Sequence, residues 1–150
     1  MISSEFIAKL RAETGAGVMD CKDALEKAGG EYEKAKKILA GNAQVIAKNK
    51  AGRIAKHGLI ECYSHNGKIG VILELGSETD FVARNAEFKN LAHELALQIA
   101  SMNPKNTEEF LAGTYIRDES MTIRQLMEQV IAKIGENIQV KRFERYELGE

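Results

Sequence analysis

The spacing of apolar residues divides the chain into a helical N-terminal part and a later part that mixes strands with helices. In the first 41 residues the spacing is helical over three short stretches, and closely placed glycines interrupt it. These glycines are Gly15, Gly17, Gly29, Gly30 and Gly41. We therefore predict a three-helix bundle over residues 1–41, whose third helix runs from about Tyr32 to Leu39.

The first two predicted helices have recognisable starts and inner faces. Ser3 or Ser4 is suited to cap the first, because a serine hydroxyl can accept a hydrogen bond from a free backbone N–H at a helix start. The second runs from about Val18 to Lys27. The residues expected to face inward are Phe6, Ile7, Leu10, Cys21 and Leu25, together with Val18 or Met19. A core of this size predicts marginal stability for the bundle alone.

Residues 42–57 are rich in alanine, lysine and asparagine, and we interpret them as a linker with some helical character. Four basic residues lie between positions 44 and 57 without an acidic one, namely Lys48, Lys50, Arg53 and Lys56. Two interpretations remain open at this point. The segment is either a solvated basic linker or a patch that meets an acidic partner.

The remaining residues, 58–150, predict a single core domain with an antiparallel sheet. Asn66-Gly67 separates two apolar runs, Leu59–Tyr63 and Ile69–Leu75, and this dipeptide strongly favours a β-hairpin. The run from Ile138 to Tyr146 alternates well enough for a third strand.

Helical spacing returns between the predicted strands. Two apolar stripes follow a period of 3.6 residues, within residues 86–102 and 122–134. The first consists of Phe88, Leu91, Ala92, Leu95, Ile99 and Met102, and the second of Ile123, Leu126, Met127, Val130, Ile131 and Ile134. Strands joined by a hairpin and accompanied by helices indicate an α+β fold, here an antiparallel-sheet core packed with helices after the N-terminal bundle.

Composition narrows the class of protein. The chain has 150 residues, a formal net charge of −1 and two cysteines. We find no secretory signal and no run near the ~18 apolar residues of a membrane helix, so we expect a cytoplasmic protein without a membrane partner. The nearly neutral charge does not favour a nucleic-acid partner, and aromatic residues are not interleaved with basic ones.

The sequence offers three candidate sites for chemistry, namely a nucleophile, a zinc site and a phosphate-binding loop, and supports none of them. Cys62 and His65 lie at a strand end and in the hairpin, so we expect a small buried cysteine instead of a nucleophile. The histidines and cysteines do not cluster as zinc ligands do. The glycines of Thr14–Gly17 lack the lysine of a phosphate-binding loop. We therefore predict no covalent catalysis, no cofactor and no bound metal.

The segment from Glu78 to Arg84 is the least ordinary part of the chain. It places Asp80 beside Phe81 just after an apolar strand, although turns normally take small or polar residues. Two interpretations are open: either Asp80 caps a helix and Phe81 folds into the core, or Phe81 protrudes to enter another molecule. Val18 and Met19 are similarly ambiguous between core and contact.

Three signatures resemble those of the elongation factor Ts family, in the same order. They are Leu10–Leu25, then Ile69–Leu75 followed by Thr79–Val82, then Ala132–Ile138. The resemblance implies a bundle similar to a ubiquitin-associated domain and activity as the guanine-nucleotide exchange factor of elongation factor Tu. It also implies roles for individual residues. The residues that match partner contacts are Arg11, Val18, Met19, Asp80 and Phe81. The segment Thr79, Asp80, Phe81 and Val82 matches the element that displaces Mg²⁺ from the partner.

The chain departs from longer members of that family, which carry a second copy of the core and a coiled-coil hairpin. Short members pair, so the resemblance implies a homodimer, through a sheet edge or the apolar face of the 122–134 helix. An alternative is a protein-binding module that resembles a ubiquitin-associated domain and lacks exchange activity. That alternative explains residues 1–41 but not Asp80 and Phe81.

Overall fold

The structure, a computed structural model, describes residues 2–150. It contains helices and one antiparallel sheet, which confirms the α+β expectation. The chain divides into two compact units. The first contains the chain up to Ala51 together with residues 128–135, and the second contains residues 52–127 and 136–150. The proposed division at residues 1–41, 42–57 and 58–150 stays a prediction.

The first unit is built on three helices, α1 (Ser4–Thr14), α2 (Val18–Lys27) and α3 (Tyr32–Lys50). Ser3 caps α1 by accepting a hydrogen bond from the N–H of Phe6 at 3.3 Å. The buried core of this unit is small and made mostly of alanine and leucine. It consists of Leu10, Cys21, Ala24, Leu25, Ala28, Ala35 and Leu39.

The expectation that α2 buries Val18 or Met19 is wrong. Both residues occupy its first turn and are exposed, Val18 at 46% and Met19 at 62%. Cys21, Ala24 and Leu25 fill the inward face instead, because positions three and four apart share a face of a helix. The first turn of α2 therefore presents two apolar side chains to solvent.

The predicted end of the third helix at Gly41 is also wrong. The helix continues to Lys50, so most of the expected linker is helical. A single glycine inside a helix costs only about 1 kcal/mol relative to alanine. Burial of Leu39 before Gly41 and of Ala47 after it favours an unbroken helix.

The second unit contains strands β1 (His57–His65), β2 (Ile69–Ser77) and β3 (Ile138–Glu147), paired antiparallel in the order β1-β2-β3. The hairpin turn is confirmed, since Asn66 and Gly67 both have positive φ, at 55° and 69°. The third strand is confirmed as well, and β3 pairs with the central strand β2.

Helices α4 (Asp80–Ala83), α5 (Ala86–Met102), α6 (Thr107–Ala112) and α7 (Ile123–Ile134) complete the described chain. The α5 stripe is buried as predicted except for Met102, which is exposed at the last position of the helix. The sheet packs one face against α5 and leaves Ile60, Ile72 and Tyr146 exposed on alternate positions. None of the helices within residues 2–150 is long and apolar enough to cross a membrane.

We predict that Gly58→Ala destabilises the sheet. Gly58 has a φ of 140°, and a Cβ there would lie 2.0 Å from the carbonyl oxygen of Leu75. Strain and overlap together should lower the free energy of unfolding by about 3 kcal/mol or more, measured by urea denaturation. Gly70→Ala in β2 is the matched control, because open space surrounds that position. Equal stability of the two variants would contradict the prediction.

Candidate functional site

The candidate site is the single helical turn of α4, which follows β2 directly. Thr79 is its N-cap, and the threonine hydroxyl accepts a hydrogen bond from the N–H of Val82 at 3.3 Å. The hydroxyl of Ser77 donates to the carbonyl of Thr79 at 2.8 Å. The side chains of Ser77 and Thr79 thus both hydrogen-bond to the backbone at the start of α4.

The side chains of α4 divide into an inner and an outer set. Ala83 is buried and Val82 is half-buried, whereas Asp80 and Phe81 are exposed. The alternative in which Phe81 folds into the core is wrong, since the side chain is 80% exposed. The alternative in which Asp80 is the cap is wrong too, because Thr79 takes that position and Asp80 lies in the first turn.

Arg84 contacts both exposed side chains. One of its guanidinium nitrogens lies 3.3 Å from the carboxylate of Asp80, and the guanidinium carbon is 5.6 Å from the centroid of the Phe81 ring. The ion pair is open to solvent, and exposed pairs contribute at most about 1 kcal/mol. Breaking it therefore costs little, so the Asp80 carboxylate and the Phe81 ring are accessible to another surface.

Residues 136–137, which precede β3, form hydrogen bonds with the segment that leads into α4. The carboxylate of Glu136 accepts hydrogen bonds from the N–H of Glu78, the N–H of Thr79 and the hydroxyl of Thr79. In the opposite direction, the N–H of Asn137 donates to the Glu78 carboxylate at 2.7 Å. Sequence reasoning did not assign Glu136 to the site, and its only signal was its place in the signature of residues 132–138.

The other predicted contact residues lie in the first unit. Arg11 is exposed in the last turn of α1, and Val18 and Met19 are exposed in the first turn of α2. Gly17 precedes α2 as its N-cap and contributes no side chain that would cover them. These three residues therefore present a cation and two apolar side chains to solvent.

The expectation of a buried Cys62 is wrong. Cys62 is exposed and pairs with Ile72, on the face of the sheet that the helices leave open. Because side chains alternate along a strand, Cys62 points away from the face shared by Tyr63 and His65. Within residues 2–150 no three His, Cys, Asp or Glu side chains are grouped as metal ligands. Burial raises the pKa of the Cys21 thiol, which lowers its reactivity.

Comparison with known proteins shows the family of this chain. The family model described as elongation factor TS matches residues 78–150, which include α4 and Glu136. The chain is 42% identical to elongation factor Ts of Thermotoga petrophila, in an alignment that covers 99% of this chain and 97% of that protein. The chain belongs to the elongation factor Ts family. Elongation factor Ts of Coprothermobacter proteolyticus is 40% identical, with 99% of each protein covered.

The alignments also show a difference from these elongation factor Ts relatives. They span 193 positions for the Thermotoga petrophila protein and 195 for the Coprothermobacter proteolyticus protein, whereas this chain has 150 residues. The relatives therefore carry segments that this chain lacks. The three strands and seven helices described here form without those segments.

Proposed function

We propose that this chain is the guanine-nucleotide exchange factor of elongation factor Tu and acts in the cytoplasm. It binds the GDP complex of that GTPase, displaces Mg²⁺ and promotes GDP release so that GTP can enter. The observation that carries the proposal is the exposure of Phe81 on a helical turn whose backbone is held by side-chain hydrogen bonds. A large aromatic ring exposed on a fixed turn is suited to enter a partner.

The chemistry of GTPases explains why displacement of the metal releases nucleotide. A GTPase holds its nucleotide through backbone amides and a lysine around the phosphates, with Mg²⁺ neutralising their charge. Removal of the ion leaves the phosphate charge poorly balanced and accelerates dissociation. The exchange factor needs only to disturb the groups that hold the ion.

The residues of α4 have distinct parts in this mechanism. The Phe81 ring acts as a wedge that shifts partner helices packed near the metal site. The Asp80 carboxylate perturbs the hydrogen bonds of groups that hold the metal's water shell, once it has left Arg84. Thr79 and Val82 hold the turn that carries both residues.

The three-helix unit supplies the docking contact. Met19 and Val18 offer apolar area, and Arg11 offers a charge, to the nucleotide-binding domain of elongation factor Tu. Burial of apolar surface contributes about 25 cal/mol per Å², so these two side chains favour association. They contribute to affinity, whereas the α4 residues contribute to the rate of release.

No covalent bond changes in this proposal, so the protein is an exchange factor and not an enzyme with a catalytic residue. It requires no cofactor and no direct contact with nucleic acid. The factor stabilises the nucleotide-free partner, and by linkage a bound nucleotide must weaken its binding equally. Release of GDP and entry of GTP are therefore both accelerated.

We predict that Phe81→Ala lowers the maximal rate of GDP release, because the ring that separates the partner's helices is removed. The loss should be about tenfold or more, with binding to elongation factor Tu retained. The measurement is release of a fluorescent GDP analogue from elongation factor Tu of the same organism at rising factor concentration. Asp80→Asn keeps the shape and removes the charge, and we expect a smaller loss.

The matched control is Ile116→Ala, which removes an exposed apolar side chain outside α4. This control should exchange nucleotide as the wild type does. If wild-type factor binds elongation factor Tu without accelerating release, the alternative of a binding module without exchange activity replaces the proposal. If it neither binds nor accelerates, the exchange-factor proposal is wrong, and a binding module for a different protein replaces it.

We predict the opposite kinetic effect for Met19→Ala. Loss of an exposed methionine from the docking surface should raise the half-saturating concentration about fivefold and leave the maximal rate nearly unchanged. The same nucleotide-release assay measures both quantities. Met102→Ala, at the end of α5, removes another exposed methionine and should change neither quantity. A lower maximal rate with normal half-saturation would contradict the assignment of Met19 to docking.

We also propose that the chain forms a homodimer. The apolar face of α7 is a poor candidate, because Ile123, Met127 and Ile131 are buried within the chain. The open face of the sheet is better suited, since it exposes Ile60 and Ile72 beside an ion pair between Glu74 and Arg142. An apolar surface with balanced charge can meet a second copy of itself across a two-fold axis.

We predict that Ile72→Lys yields a monomer, because it places a charge in the centre of the surface proposed for pairing. Sedimentation velocity should show a dimer for the wild type and a species of half that mass for the variant. Ile116→Lys introduces the same charge away from the sheet and should remain dimeric. A wild-type monomer, or a dimeric Ile72→Lys variant, would rule out pairing through this surface.

A further inference from the structure

We propose that Glu136 is a positioning residue for exchange, which holds α4 so that Phe81 and Asp80 face the partner at a fixed angle. The inference rests on the proposed exchange function. It adds a residue that lies far from α4 in sequence and is only partly buried.

Both carboxylate oxygens of Glu136 are engaged. Oε1 accepts from the N–H groups of Glu78 and Thr79 at 3.1 and 3.0 Å, and Oε2 accepts from the Thr79 hydroxyl at 2.7 Å. Hydrogen bonds to a carboxylate are shorter and stronger than those between neutral groups. Contact through both oxygens fixes the position of the segment and also its orientation.

The contact with the Thr79 hydroxyl reaches into α4 itself. A hydroxyl has one hydrogen, and here that hydrogen points to Glu136. The lone pairs of the same oxygen are then left for the N–H of Val82, which donates to it at 3.3 Å. Glu136 thereby sets the rotamer of the capping residue and the direction of the first turn of α4.

The residue after Glu136 makes this support reciprocal. The N–H of Asn137 donates to the Glu78 carboxylate, and the Asn137 side-chain amide donates to the carbonyl of Arg53 at 2.8 Å. Asn137 is only 3% exposed. Asn137 is therefore a buried anchor for the partly exposed Glu136, and residues 136–137 exchange hydrogen bonds with residues 78–79 in both directions.

The exposure of Phe81 explains why α4 needs support from residues 136–137. Its ring is packed against little of its own chain, so its direction depends on the backbone of α4 and not on a core around the ring. A displacement of about 1 Å in a reacting group can cost about a hundredfold in rate. A residue that fixes this backbone acts on the rate of release without touching the partner.

The test compares Glu136→Ala with Glu136→Gln. The alanine variant loses all three hydrogen bonds, and its maximal rate of GDP release should fall about tenfold with less than threefold change in half-saturation. The glutamine oxygen can still accept from the two N–H groups, and its amide can donate to the Thr79 oxygen. The glutamine variant should therefore stay within about threefold of wild type. Glu119→Ala removes an exposed glutamate in the turn before α7 and should change nothing.

A second measurement does not depend on exchange activity. Amide hydrogen exchange at Glu78, Thr79 and Val82 should become faster in Glu136→Ala and remain slow in Glu136→Gln. If wild-type factor fails to release GDP, the proposed function fails, while slow amide exchange at these positions still tests the support of α4. Should Glu136→Ala not fold, Glu136→Asp, which is one methylene shorter, replaces it with the same expected direction.

Two results would overturn the inference. One is normal amide exchange at residues 78–82 together with a normal rate of GDP release in Glu136→Ala. The other is an equal loss of rate and affinity in Glu136→Ala and Glu136→Gln, since that would indicate a direct contact of the Glu136 charge with the partner.

Discussion

The register between β2 and β3 determines where α4 lies. Ser77, the last residue of β2, pairs with Ile138, the first residue of β3. This pairing places Glu78 and Thr79 beside Glu136 and Asn137, within reach of four hydrogen bonds between the two segments. A one-residue slip would turn every side chain of the strand to the other face and remove this contact. Burial of Leu73 and Leu75 in β2 resists such a slip.

The exposed apolar residues proposed to contact elongation factor Tu are held in two different ways. Val18 and Met19 lie in α2, a ten-residue helix whose opposite face packs into the core of the first unit. Phe81 lies in α4, a single helical turn that is too short to be stable without support. The support comes from a side-chain cap and from the carboxylate of a residue that is distant in sequence. This difference agrees with the proposal that Val18 and Met19 contribute to affinity for the partner, whereas Phe81 contributes to the rate of GDP release.

Much of the architecture was predictable from the sequence, and the errors have identifiable causes. Period-two spacing located β2, and Asn66-Gly67 located the hairpin, because both signals are local. The predicted end of α3 is too early because a lone glycine at position 41 weakens a helix without ending it when residues on both sides are buried. The predicted burial of Cys62 is wrong because a strand pattern does not reveal which face of a sheet the helices cover.

Residue spacing and residue type along the chain are enough to predict the three strands, the longer helices and the resemblance to a family, and they mark the segment around Phe81 as unusual. These depend on spacing and residue type, which are properties of neighbouring positions. The exposure of Phe81, Val18 and Met19, and the hydrogen bonds between Glu136 and the start of α4, follow instead from how the chain packs in three dimensions. Glu136 and Thr79 are 57 residues apart, and no local pattern encodes a contact that depends on the register of two strands.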